Sequence, residues 1–81
     1  MNGDNILSKD HFNAHNQVVS DYTLLLLLEQ ELENCNTTEQ DRIVKRLKGE
    51  MILLLQRIIV TKSFLQQKTE ADKEYLSSLL N

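Results

Sequence analysis

Apolar positions are sparse through residue 16 and then crowd into two blocks, "DYTLLLLLEQELE" at 21–33 and "EMILLLQRIIV" at 50–60. Around the first block Val18, Tyr22, Leu25 and Leu32 recur at helical spacing, which predicts a helix from Asn16 or Ser20 to Asn34. Ser20 and Asp21 suit the cap of the later start. Leu24 to Leu28 are consecutive, and at about 100° per residue they occupy the whole circumference. A helix that is apolar all round has to be covered on more than one side.

The polar stretch "NCNTTEQD" reads as a turn followed by a start signal. Asn34 or Asn36 suits the left-handed residue that ends a helix. Thr37 with Gln40 forms a Thr-x-x-Gln capping box for the next one. A loop this short makes antiparallel neighbours. Along the second helix Val44, Leu47, Met51, Leu54 and Ile58 follow 3-4-3-4 spacing, the seam of coiled-coil packing, with Ile52, Leu55 and Ile59 as a stripe beside it. Gly49 in that helix costs roughly 1 kcal/mol against alanine; a close helix crossing or plain tolerance would account for it. Further on, Thr69 before Glu70 and Asp72 resembles an N-cap with acids in the first turn. Tyr75, Leu76, Leu79 and Leu80 then give a short third helix its apolar face. The alternative is a second helix that runs unbroken to residue 81.

The expected fold is all-α: an antiparallel helical hairpin with a short third C-terminal helix, pairing into a helical-bundle dimer. Helices are placed at about 18–34, 38–62 and 69–80 within a single domain, 17–81. Residues 1–16, rich in Asn and aperiodic, are read as a flexible arm.

Composition sharpens the dimer expectation. A chain of 81 residues is one domain at most, and it buries only about 60–65 % of its unfolded surface. Small scaffolds usually add a disulfide, a metal or a second subunit. Cys35 is the only cysteine, so no intrachain bridge exists. The two glycines and the absence of proline favour long helices. The longest apolar runs are five residues, far below the ~20 of a membrane span. The opening "MNGDNILSKDHF" lacks a basic region followed by an apolar one, so no signal peptide is expected. A cytoplasmic location follows as the expectation. Glu29, Glu31 and Glu33 near the end of the first helix lie opposite Arg42, Lys45, Arg46 and Lys48 at the start of the second, charges suited to setting the hairpin's register.

Candidate chemistry is thin. His11 and His15 have the i, i+4 spacing of a helical metal pair, but no third ligand is within sequence reach, and they are read as solvated. Cys35 lies between Asn34 and Asn36 with no basic neighbour to activate it, and is read as an incidental thiol. Residues 41–68 carry a basic excess, yet no aromatic residues interleave and the whole chain has a net charge of −3, so nucleic acid is not an expected partner. No glycine-rich phosphate loop, Ser–His–Asp set or carboxylate pair in an apolar cleft is present, so neither an enzyme nor a cofactor is expected. The surplus of apolar residues points to protein–protein contact, through self-association, a different protein, or both. Leu25, Leu28, Val44, Leu47, Met51, Leu54 and Ile58 are the expected association surface. A monomeric three-helix bundle is the plainer alternative.

From Leu24 onward the order is an apolar helix, an Asn-containing turn, "EMILLLQRII", a polar "TKS" segment and a final "ADKEYLSSLL". This order resembles the small enterobacterial biofilm and acid-resistance regulators of the YmgB/AriR type; residues 1–23 have no counterpart in it. The resemblance implies a small all-helical homodimer acting as a connector in two-component signalling. It also implies links to DNA-associated regulation, from which this chain's acidic balance departs. Other expectations for an apolar hairpin of this kind are a secretion co-chaperone shielding an aggregation-prone client, or a small DNA-binding regulator.

Overall fold

The computed structural model describes residues 2–35 and 41–81, with side chains from residue 9 onward. Three helices follow in order: α1 (Asn2–Glu33), α2 (Asp41–Phe64) and α3 (Glu70–Leu80). No strand occurs among the described residues. Helices α1 and α2 form the expected antiparallel hairpin: the His11 ring lies 5.5 Å from that of Phe64 near one end, and Asp21 meets Arg57 further along. Helix α3 is separate and packs back on α2, while its side chains reach α1 through Tyr22–Asp72 and Glu29–Tyr75.

Helix α1 is much longer than its apolar pattern predicts. Residues 2–16, read above as a flexible arm, are helical. Nothing between Asp4 and Asn16 breaks a helix, and once Tyr22 to Leu32 are held against α2, each further residue adds a backbone bond at little cost. Because His11 meets the last residue of α2, the first turns of α1 run past the end of the hairpin. The molecule is accordingly a rod, 58 × 19 × 14 Å, with a radius of gyration of 15.6 Å. A compact chain of this length would have about 12 Å.

Helix ends differ in detail from the sequence signals. Asn34 is not left-handed; its N–H is shared between the carbonyls of Gln30 and Glu31, and Cys35 N–H bonds to Leu32, so the last turn simply tightens. Asn36 and the Thr37–Gln40 capping box lie outside the described residues. The left-handed residue is instead Gln66, at φ 60°. Gln67 N–H donates to Lys62 O at 2.8 Å and Gln66 N–H to Ser63 O at 3.1 Å, the paired bonds of a Schellman stop. Thr69 does precede α3, but its side chain makes no capping bond. Gly49 has nothing within 4 Å of where a Cβ would sit, so it marks no close crossing.

The core runs along the hairpin seam. Leu25, Met51, Leu55 and Ile58 form its buried centre, with Tyr22, Leu28, Leu32 and Leu54 beside them and Tyr75, Leu76 and Leu79 of α3 closing one side. Val18 and Leu47 are also buried.

Candidate functional site

Seven residues were expected to form an association surface, and in this fold Leu25, Leu28, Met51, Leu54 and Ile58 pack into the chain's own core. Leu25, Leu47, Met51 and Ile58 are buried, while Leu28, Val44 and Leu54 are half-buried. Their 3-4 spacing is used at least in part for packing between the helices of this chain. Leu55, assigned above to a flanking stripe, is fully buried, because α3 widens the covered arc of α2.

What the hairpin leaves outside is a second apolar set. On α1, Phe12, Val19, Leu24, Leu26 and Leu27 are exposed; so are Ile43, Leu53, Val60 and Phe64 on α2, and Leu80 on α3. Of the five consecutive leucines only Leu25 is fully buried. A groove of about 300 Å³ opens between α1 and α2, lined by Leu28, Glu31, Ile43, Arg46, Leu47 and Glu50 and by no residue of α3. Apolar walls with both charge signs at the rim suit a helix or side chain of another protein better than a small polar ligand.

Buried polar groups do structural work. Asp21, a possible cap in the sequence, lies mid-helix with 0 % exposure. It accepts bonds from Arg57 Nε (2.9 Å) and Nη2 (2.7 Å) and from Gln17 Nε2 (2.9 Å). At the far end of α2, Lys62 Nζ donates to Asp72 Oδ2 at 2.7 Å and to the Tyr22 hydroxyl at 3.0 Å. Tyr22 donates in turn to Asp72 Oδ1. One residue from each helix thus meets in a clamp in which the Lys62 and Asp72 side chains are only 16 % and 8 % exposed. The Asp72 carboxylate raises the Lys62 pKa, and burial, followed by the Asp72 bond, raises that of Tyr22. A second tyrosine on α3, Tyr75, donates to Glu29; burial and that bond push it up to about 12. Every buried side-chain polar atom among the described residues has a partner. The sequence placed Tyr22 on an apolar face and Asp72 in a first turn but did not show their pairing, since the pairs lie 10 to 50 residues apart.

The charged helix ends do not pair as expected. Among the described residues no ion pair joins Glu29, Glu31 or Glu33 to Arg42, Lys45, Arg46 or Lys48; Glu29 serves Tyr75, and Arg46 pairs with Glu50 on its own helix at 3.8 Å. The basic excess of 41–68 is also partly consumed, since Arg46, Arg57 and Lys62 each face a carboxylate. His11 and His15 are exposed, and no group of three metal-ligating side chains occurs among the described residues. Cys35 is a free, half-buried thiol just past α1. Among the described residues, no helix is long and apolar enough to cross a membrane. Compared with known proteins, the chain matches no family model, no curated protein and no solved structure.

Proposed function

We propose that this chain is a small non-enzymatic regulatory adaptor that acts through helix-mediated protein–protein contact. One observation carries this: after the hairpin and α3 have closed the core, ten large apolar side chains remain exposed among the described residues. Single exposed leucines are ordinary, but runs of them along helices are typical of interaction surfaces. The slender rod cannot hide them, because each helix has too few neighbours. A finer form of the proposal, a homodimeric connector in two-component signalling affecting biofilm and acid resistance, rests on the outline of helices alone.

Size-exclusion chromatography with light scattering, at two protein concentrations and with an apolar dye in a parallel sample, tests the adaptor. A mass near twice 9.4 kDa, or a concentration-dependent rise with dye binding, is expected. A monodisperse 9.4 kDa species at both concentrations that binds no dye would overturn it.

A further inference from the structure

We propose that the outer face of α2 docks a second copy of this chain, antiparallel, about a two-fold axis at Leu53. The proposal rests on the adaptor reading and names its surface and partner. The face is a second seam, displaced by one residue from the buried one. Ile43, Arg46, Glu50, Leu53, Arg57, Val60 and Phe64 follow one another at 3-4-3-4-3-4 spacing, a stripe roughly 30 Å long. Every one of them is exposed, Leu53 and Val60 at 66 % and 69 %.

The order of residues in this stripe is self-complementary. A two-fold interface brings residue i to j and j to i. About Leu53, an antiparallel arrangement sets Leu53 on its own copy and Glu50 beside Arg57 of the second copy, twice over. Arg46 then lays its methylene stem along the second copy's Val60, and the ends pair Ile43 with Phe64. Phe64 of the second copy thereby arrives at the groove that Ile43, Arg46 and Glu50 line. Parallel pairing in register would set Arg46 on Arg46, Glu50 on Glu50 and Arg57 on Arg57. Like charges at a contact are strongly unfavourable, so charge selects the antiparallel orientation. Arg57 is free to take part: of the five N–H groups in a guanidinium, Asp21 uses only two.

Cross-linking tests face and orientation together. In a Cys35→Ser background, Leu53→Cys should form a disulfide-linked dimer on mild oxidation. Lys48→Cys, exposed on the far side of α2, should not. A mixture of Ile43→Cys and Phe64→Cys chains should link to each other in preference to Ile43→Cys linking to itself. Glu50→Arg should weaken association at least tenfold by light scattering while leaving helix content unchanged. Linkage at Leu53→Cys no faster than at Lys48→Cys would overturn this face, and dominant Ile43→Cys self-linkage would overturn the orientation. A dye-binding monomer at every concentration would overturn self-docking, yet leave the adaptor reading standing with an outside partner.

Discussion

Helix α2 carries two seams with the same spacing and opposite fates. The inner one, Val44, Leu47, Met51, Leu54 and Ile58, is apolar throughout and is buried or half-buried along its length. The outer one, from Ile43 to Phe64, has the same 3-4 rhythm one residue earlier, but three of its seven positions are charged, and all stay in solvent. Periodicity alone does not say which face a helix will bury. An unbroken apolar stripe goes inward because burying a charge without a close partner is costly. A mixed stripe survives outside, where its charges can give a contact direction.

The two seams should separate most clearly under truncation. Met51→Ala leaves a cavity in the core and should cost about 3 kcal/mol in urea unfolding followed by circular dichroism. For a domain this small that is most of its stability. Leu53→Ala, on the outer seam, should shift the dilute monomer by under about 0.5 kcal/mol. Equal losses would mean that both seams are core.

Next in size comes the clamp that ties α3 over the inner seam. Lys62→Met leaves the Asp72 carboxylate buried with only the Tyr22 hydroxyl for a partner, and should cost about 2–3 kcal/mol. Amide exchange would localise the damage, with α3 losing protection before α1 and α2; uniform loss across the three helices would refute this.

The same contacts set an alkaline limit. Folding raises the pKa of Lys62, chiefly through the Asp72 carboxylate, and that of Tyr75 from 10.0 to about 12, chiefly through burial. Both groups hold a proton more tightly folded than unfolded. Their contribution is therefore complete below pH 10 and is lost as pH rises from 10 toward about 12. Urea midpoints should be steady up to pH 9 and fall between pH 10 and 11.5, less steeply in Tyr75→Phe. A midpoint that is flat through this range would contradict the assignment. Smallest of all, Gln66→Gly relieves a left-handed residue and Gly49→Ala fills open space; each should raise stability by roughly 0.5–1 kcal/mol. A loss at Gly49→Ala in the associated form alone would place that glycine at a contact.

Much of the fold was legible because it depends on local signals. Proline-free helical periodicity, a polar turn and the recovery of apolar spacing after Thr69 place three helices and their antiparallel hairpin. The start of α1 was not legible, since residues 2–16 take their helix from propagation rather than from a pattern of their own. The expected surface residues follow the seam along which the hairpin packs, and helical spacing shows that a face needs covering, not which molecule covers it. The pairings of Asp21, Lys62 and Asp72 were not legible for another reason. Their partnerships depend on three-dimensional register between helices, and each taken alone resembles a surface charge or a cap.

The rod shape has a practical consequence for how this protein will behave in a column. A particle 58 Å long and under 20 Å across meets more hydrodynamic drag than a sphere of equal mass and tumbles anisotropically. Gel filtration against globular standards will thus report a single chain as something heavier. Elution volume would imitate a pair where only one molecule is present, and only an absolute mass can tell them apart.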